Sequence, residues 1–176
     1  MATTIRTPVA ADAAALGRVH VRAWQAAYRG GLMPDEYLDS LSADERASIW
    51  AGILARPLPA TGTRFVAERP DGKVAGFIVV GSAPGEHTDD TGELFAINVD
   101  PDHWRTGIGD VLHDAGIAAM VESGFGRAIL WVHPGNSRAR RFYEARGWMS
   151  DGATRSEEVL GVDVDEVRYS ITLPSS

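Results

Sequence analysis

The sequence predicts a mixed α/β domain, of the α+β type, in which helices flank one central sheet. Short apolar segments typical of strands alternate with segments of helical periodicity, in the order strand, helices, three strands, helix, strand, helix, strand. The chain has no internal repeat, low-complexity segment or linker, and its 176 residues suit one hydrophobic core. We therefore expect a single domain over residues 1–176.

The first third of the chain is predicted to be mainly helical. A short strand at Thr3–Thr7 leads into a helix that has Pro8 in its first turn and runs to about Tyr28. Pro34 opens a second helical region. The S-A-D-E capping box that begins at Ser42 is expected to divide this region into two helices.

The rest of the chain alternates strands and helices. Asp71-Gly72 lies between two strand-like segments and is a strong hairpin signal. Gly147 marks the end of the last helix, and the polar, turn-rich residues 81–92 are expected to form a loop. The predicted strands are Arg64–Glu68, Lys73–Val80, Leu94–Val99, Arg127–Val132 and Val164–Thr172, and the predicted helices are Gly107–Ser123 and Asn136–Arg146.

The composition excludes several kinds of chemistry. With 17 basic and 24 acidic residues the net charge is -7, which argues against a nucleic-acid protein with a broad basic surface. The chain has no cysteine, so it forms no disulfide, thiolate metal site or acyl-cysteine intermediate. It also lacks the G-x-S-x-G stretch of a hydrolase serine. Acyl transfer by this chain would therefore be direct, within one ternary complex.

No segment indicates a membrane or a metal. No apolar stretch approaches the ~20 residues that cross a bilayer, and residues 1–8 lack the basic start and apolar run of a signal peptide. We therefore expect a cytoplasmic protein. The histidines show no spacing typical of metal ligands, so no metal is predicted; they are His20, His87, His103, His113 and His133.

The most informative segment is residues 93–112, E-L-F-A-I-N-V-D-P-D-H-W-R-T-G-I-G-D-V-L. A strand ends within it, and Gly107 and Gly109 lie where a helix begins. Glycines let backbone N–H groups approach a phosphate closely, and the helix N-terminus adds free donors and a positive dipole end. Asp110 and Leu112 rule out a Walker loop and a dinucleotide fingerprint. The alternative is a tight turn that binds no ligand.

A second segment, residues 136–148, reads N-S-R-A-R-R-F-Y-E-A-R-G-W and is locally basic within an acidic chain. Taken alone, it is explained by a solvated helix face with aromatic core residues behind it. Gly109 and Asn136 are 27 residues apart, which leaves room for one helix and one strand. Both segments would then lie at the same end of neighbouring parallel strands, where ligands bind in such sheets.

Together these motifs resemble the GNAT superfamily of acetyl-coenzyme A-dependent N-acetyltransferases. The segment V-D-P-D-H-W-R-T-G-I-G is similar to the family's phosphate loop, Q/R-x-x-G-x-G/A. The segment N-S-R-A-R-R-F-Y-E-A-R-G-W is similar to its N-x-x-A-x-x-F-Y-x-x-x-G-F motif, and the order of elements fits from Thr3 to Leu173. The resemblance implies a mostly antiparallel central sheet with one parallel pair of strands that splay apart at the acetyl-CoA site.

The resemblance also implies how acetyl-CoA is held. Ile97 and Val99 would offer backbone groups to the pantetheine arm, and Asn136 would hydrogen-bond the same arm. Arg138 and the arginines after it would meet the 3′-phosphate. The pyrophosphate would be wrapped by Trp104, Arg105, Thr106, Gly107, Ile108, Gly109 and Asp110. Trp104 departs from the family, because it stands at the Gln/Arg position; Arg105 beside it is a substitute charge.

Transfer to an amine needs a base for the ammonium proton and an acid for the departing thiolate. By the resemblance, Tyr143 matches the tyrosine of the F-Y-x-x-x-G motif and would be the acid. Glu93 matches the strand glutamate that serves as base in histone-type relatives, directly or through water. Strand alternation places Glu93, Phe95, Ile97 and Val99 on one face, and a partly apolar cleft would raise the pKa of Glu93. The alternatives are a core tyrosine and a surface glutamate.

The acceptor pocket is expected to draw on Trp24, Tyr28 and Tyr37, whose rings could cover a cationic amine unless they are core residues. The sequence thus predicts an N-acetyltransferase that acts on a primary amine of a small molecule or peptide. The net charge favours a cationic small molecule. A non-catalytic acyl-CoA sensor on the same fold and an α/β interaction protein with an empty loop are the alternatives. A homodimer is suggested by analogy alone.

Overall fold

The computed structural model describes residues 3–85, 90–159 and 161–174. In these residues the chain forms a seven-stranded sheet with the order β1-β2-β3-β4-β5-β7-β6, flanked by helices. The strands are β1 (Thr4–Arg6), β2 (Thr63–Glu68), β3 (Val74–Ser82), β4 (Thr91–Val99), β5 (Arg127–Val132), β6 (Met149–Val159) and β7 (Val162–Thr172). The helices are α1 (Ala13–Tyr28), α2 (Asp35–Ser40), α3 (Ala43–Leu54), α4 (Ile108–Glu122) and α5 (Ser137–Glu144). The predicted fold class is confirmed.

The parallel pair β4–β5 is the part of the sheet that matters for function. The other neighbouring strands in the described sheet run antiparallel. β4 and β5 pair only from Thr91↔Arg127 to Glu93↔Ile129, although β4 continues to Val99 and β5 to Val132. The two strands therefore separate beyond Glu93, as the splayed pair predicted from the family resemblance requires.

Helices cover both faces of the sheet. Leu112 and Met120 of α4 pack with Ile78, Leu130 and Tyr169 of the sheet in one core cluster. On the opposite face, α1 and α3 pack on β2 and β3 in a second cluster, which comprises Ala13, Leu16, Val19, Trp50, Val66, Val74 and Phe77. This two-sided packing fixes the ends of β4 and β5 between α1 on one side and α4 and α5 on the other.

A β-bulge interrupts β4 just past the parallel pairing. Val80 of β3 faces Leu94 and Val79 faces Ala96, so Phe95 is the extra residue on β4. Phe95 is 48% exposed, which is unusual for so large an apolar side chain. The bulge thus re-aims the strand at the point where it leaves its parallel partner.

Two element predictions were wrong. The helix predicted from Pro8 begins at Ala13, because a 3₁₀ turn precedes it and Asp12 is used by Arg6 and by the backbone N–H of Val9. Strand β6 was missed, since its M-S-D-G-A-T-R-S-E-E-V sequence is polar and contains a glycine; it forms the sheet edge by pairing with β7.

The remaining predicted elements fall within a few residues of the observed ones. Ser42 caps α3 by accepting a hydrogen bond from the backbone N–H of Glu45 at 3.2 Å. Residues 86–89, in the predicted 81–92 loop, lie outside the described residues. No helix in the described parts of the chain is long and apolar enough to cross a membrane.

Candidate active site

The loop between β4 and α4 has the backbone of an anion cradle. Arg105 has φ 62° and Gly107 has φ 87°, so two nearby residues adopt the left-handed conformation. The backbone N–H of Asp110 donates to the carbonyl of Gly107 at 3.1 Å, whereas the N–H groups from Arg105 to Gly109 find no acceptor within the described chain. Free N–H groups beside a helix N-terminus bind phosphate.

The two glycines of the loop have different physical roles. Gly107 precedes the first residue of α4 in a left-handed conformation that a β-branched side chain adopts only with strain. Gly109 has an ordinary φ, but a Cβ there would lie 3.2 Å from Cε2 of Phe142 in α5. The first glycine shapes the loop, and the second lets α4 approach α5.

Trp104 links three parts of the site. Its indole N–H donates to the carbonyl of Val99 at the end of β4, at 2.8 Å. The guanidinium carbon of Arg138, in α5, lies 3.0 Å from the centroid of its ring. Because the Val99 carbonyl already accepts this hydrogen bond, less of the Val99 backbone is available to a pantetheine arm than the resemblance implies.

Basic side chains gather around this loop. Desolvation, and then the like charge of Arg105, lower the pKa of Arg138. Arg146 pairs instead with Asp110, the last residue of the predicted phosphate loop. Arg105 and Arg138 therefore leave excess positive charge near the free N–H groups, which favours a phosphate-bearing ligand.

Asn136 holds α5 in place. Its side-chain oxygen accepts the backbone N–H of Ala139 at 3.1 Å, which caps the helix. Burial raises the pKa of the nearby Tyr28 hydroxyl, and Asn136 partly opposes that shift. The Asn136 amide also carries two hydrogens, which suit it to the ligand contact predicted from the resemblance.

Tyr143 lies on the inner face of α5 and is 7% exposed. Burial, and then the nearby Tyr28, raise the pKa of Tyr143. Its hydroxyl therefore keeps its proton at neutral and moderately alkaline pH, as a proton donor to a leaving thiolate requires.

Glu93 is a buried carboxyl at the point where β4 and β5 separate. It is 4% exposed, and its Oε2 atom finds no hydrogen-bond partner in the described residues. Burial raises the pKa of Glu93 to about 7; Arg155 opposes this shift, and the carboxylates Glu157 and Glu166 add to it. A carboxyl with this pKa exchanges its proton near neutral pH.

The bulge overturns the prediction that Glu93 shares a face with Ile97 and Val99. Leu94 belongs to the core cluster beneath α4, and Ile97 and Val99 pack against the same cluster. Ala96 packs against the cluster beneath α1. Leu94 and Ile97 are three residues apart on one face, so the extra residue at Phe95 breaks the alternation. Glu93 therefore lies on the α1 side of the sheet.

One cavity of about 1110 Å³ connects the loop, the splayed strands and α1. Most of the predicted site residues line it, namely Trp24, Tyr28, Ile97, Val99, Trp104, Arg105, Gly107, Gly109, Asp110, Asn136, Arg138 and Tyr143.

Four predicted residues lie elsewhere. Tyr37, in α2, packs against a cluster that contains Trp24, Met33 and Leu38, and it is not among the residues that line this cavity. Ile108 is a core residue that offers the site only its backbone, and the Thr106 hydroxyl closes the loop by donating to the carbonyl of His103 at 2.7 Å. The Glu93 side chain is buried in the sheet beside the cavity and does not line it.

Sequence reasoning missed the part of the wall that β5, β6 and β7 contribute. Trp131, Arg155 and Glu166 line the cavity from β5, β6 and β7. Nothing in the motifs pointed to them, because they come from sheet positions whose register depends on the unpredicted strand β6 and its pairing with β7. Among the described residues, no group of three or more His, Asp or Glu side chains is placed to hold a metal ion.

Comparison with known proteins gives one consistent family. Residues 22–148 match the acetyltransferase (GNAT) family. YuaI, an uncharacterized N-acetyltransferase of Bacillus subtilis (strain 168), is 30% identical over 164 residues, which span 93% of this chain and 90% of that protein.

Solved structures share the fold. The PaiA N-acetyltransferase of Thermoplasma acidophilum, in complex with coenzyme A, superposes with a TM-score of 0.69 at 21% identity, over 98% of this chain and 99% of that one. YncA of Salmonella typhimurium, with its cofactor acetyl-CoA, gives a TM-score of 0.69 at 19% identity, over 100% and 96% of the two chains.

Proposed function

Since the chain belongs to the GNAT acetyltransferase family and is therefore an acyltransferase, we propose that it moves the acetyl group of acetyl-CoA directly to a primary amine in a ternary complex. One observation carries this proposal. A single cavity runs from a loop of free backbone N–H groups to the surroundings of a buried carboxyl whose pKa is about 7. An anion-binding end and a proton-accepting end in one cavity are what this reaction needs.

The donor would be held by the loop and the splayed strands. The N–H groups from Arg105 to Gly109 and the dipole of α4 suit the pyrophosphate, and Arg138 suits a further phosphate. The pantetheine arm would run between β4 and β5, where the strands no longer pair with each other. In this proposal, the backbone of Ile97 and the side-chain amide N–H of Asn136 hydrogen-bond the pantetheine arm.

The chemical step follows from the two titratable side chains. Glu93 does not line the cavity, so it takes a proton from the acceptor ammonium through water. The amine nitrogen then bonds to the thioester carbon, and the carbon–sulfur bond breaks. Tyr143 donates its proton to the departing sulfur. Of the two protons that the nitrogen loses, one reaches solvent through Glu93 and the other passes to the Tyr143 oxygen and restores its hydroxyl.

Turnover separates this proposal from a non-catalytic acyl-CoA sensor. The purified protein is mixed with acetyl-CoA and a panel of primary amines; thiol release and the mass of the amine are followed, and the intact protein is weighed. Direct transfer predicts amine-dependent thiol release, an N-acetylated amine and no acetylated protein as intermediate. Acetyl-CoA binding without thiol release for any amine contradicts the proposal and favours the sensor, and an acetyl-protein that passes its group on contradicts direct transfer.

A further inference from the structure

The cavity is divided by charge. Its loop end is lined by Arg105, Arg138 and Arg141. Asp110, the one carboxylate that lines this end among the described residues, is neutralised by Arg146. The opposite end, between α1 and the β5–β7–β6 face, is lined by Arg155 and Glu166. The two ends therefore suit ligands of different charge, and the donor phosphates account for only the basic end.

Among the residues that the structure describes, Arg155 supplies the one guanidinium that lines the opposite end, and its charge is already balanced by carboxylates. Its Nε donates to Oε2 of Glu166 at 2.7 Å, and its NH1 group lies 2.7 Å from Oε2 of Glu157. The guanidinium carbon lies 4.3 Å from the centroid of the Trp131 ring. An anionic ligand would have to displace Glu166, whose side chain is only 13% exposed, so this arginine is poorly placed to bind a carboxylate.

The carboxylates outnumber this guanidinium. Glu93 is close enough to Arg155, Glu157 and Glu166 for each to shift its pKa, and Glu93 itself retains an unpartnered, buried oxygen. Once Glu93 ionises, three carboxylates share one guanidinium. His20, on the α1 wall, adds no positive charge at neutral pH, because burial lowers its pKa to about 4.

Arg168 weakens this balance without reversing it. Its guanidinium carbon lies 5.6 Å from the Trp131 ring, and its Nε donates to Asp151 at 2.8 Å, a carboxylate that also pairs with Arg127. The remaining walls are aromatic. Trp24 and Tyr28 line the cavity with ring centroids 4.8 Å apart, and Phe95 presents its exposed ring from the bulge. Aromatic faces beside excess carboxylate favour cations.

We propose that the acceptor is a small molecule with a second protonated nitrogen a few bonds from the amine that is acetylated. This inference rests on the proposed function and narrows it to diamines and related polycations. Glu93 receives the proton of the reacting nitrogen. The Glu157–Glu166 carboxylates bind the second charge, and the rings of Trp24 and Tyr28 cover the carbon chain.

Three acceptors of equal chain length test the inference. The value of kcat/KM is measured with acetyl-CoA and with n-butylamine, 1,4-diaminobutane or 4-aminobutanoate, which end in a methyl, an ammonium and a carboxylate. We expect the diamine to exceed butylamine by at least about tenfold, and the amino acid to fall below butylamine. Glu157→Gln should reduce the preference for diamine over butylamine severalfold. Glu158→Gln makes the same charge change at the next, exposed position of β6 and should preserve that preference.

Different failures have different meanings. Equal values for the three acceptors, or the highest value for 4-aminobutanoate, would overturn the inference while leaving the transferase intact. So would a preference for the diamine that Glu157→Gln leaves unchanged. If none of the three is acetylated but other amines are, the inference again fails. If no amine of any kind supports thiol release, the proposed function fails as well.

Discussion

The guanidinium of Arg138 stacks on the indole ring of Trp104, with the guanidinium carbon 3.0 Å from the ring centroid. The same indole donates its N–H to the carbonyl of Val99. One side chain therefore joins the end of β4, the β4–α4 loop and α5. In this chain, the residue that departs from the family's Gln/Arg position organises the site and places Arg138 next to the loop.

The two contacts of Trp104 predict that its substitutions raise KM for acetyl-CoA in steps. Trp104→Phe keeps a ring under Arg138 but loses the hydrogen bond to Val99, so we expect KM for acetyl-CoA to rise by about fivefold, or ~1 kcal/mol. Trp104→Ala also removes the stack and should raise it by roughly 30-fold, or about 2 kcal/mol. KM for the amine should change little. Steady-state kinetics with each substrate varied in turn would contradict this relationship if the amine KM rose instead.

The pKa of Glu93 predicts the pH dependence of turnover. The base is active when deprotonated, so kcat at saturating substrates should rise with pH and level off above about pH 7. Glu93→Gln should lose this rise and lower kcat by about 10²- to 10⁴-fold. Calorimetry should show unchanged acetyl-CoA affinity in the variant. A Glu93→Gln enzyme with wild-type kcat and the same pH profile would exclude Glu93 as the base.

The raised pKa of Glu93 also predicts that protein stability falls with rising pH, over the range in which kcat rises. The pKa of Glu93 is raised from 4.5 to about 7 by burial, so the unfolded chain ionises first. As pH rises between those values the folded state binds more protons and the free energy of unfolding falls, by up to about 3 kcal/mol. Glu93→Gln avoids this loss.

Denaturant unfolding at two pH values measures this effect. Relative to wild type, Glu93→Gln should gain stability from pH 5 to pH 8, by up to about 3 kcal/mol. The difference between the two pH values cancels any fixed cost of burying the amide. If the variant and the wild type lose stability in parallel over this range, the Glu93 carboxyl does not have a raised pKa.

Tyr143 is expected to act on the leaving group. Tyr143→Phe removes only the hydroxyl and should lower kcat by about 10²- to 10⁴-fold with little change in KM for acetyl-CoA. The matched control is Tyr37→Phe, since Tyr37 packs outside the cavity; its kcat should stay near the wild-type value. An acetyl thioester whose thiol is more acidic needs less help from an acid, so with it Tyr143→Phe should lose less kcat relative to wild type. The same fold loss in kcat with both thioesters would mean that the hydroxyl has another role.

The motifs singled out residues that the structure brings together at one end of the cavity, because local sequence patterns specify that end. The glycines of the β4–α4 loop and Asn136 act through backbone conformation and helix capping, which depend on residues near them in the sequence. The splayed parallel pair followed from the family resemblance rather than from any pattern in the strands.

The opposite end of the cavity, between α1 and the β5–β7–β6 face, could not be predicted, for two physical reasons. The bulge at Phe95 is a tertiary feature of the β3–β4 pairing, and it reversed the face assigned to Glu93 relative to Ile97. Arg155 and Glu166 meet only through the pairing of β6 with β7, and the polar sequence of β6 gives no strand signal. Tyr37 was chosen by residue type, which does not distinguish a pocket residue from one that packs beside α2.

Calorimetric titration of acetyl-CoA tests the central claim most directly. The wild-type protein should bind it at one site, and Gly107→Val should weaken binding by at least about tenfold, because valine resists the left-handed φ of 87° that shapes the loop. Gly72→Val places the same residue at a φ of 78° in the β2–β3 hairpin, where a Cβ meets no neighbour, and should retain wild-type affinity. No heat of binding with the wild type, or equal affinity in Gly107→Val, would contradict an acetyl-CoA site at this loop.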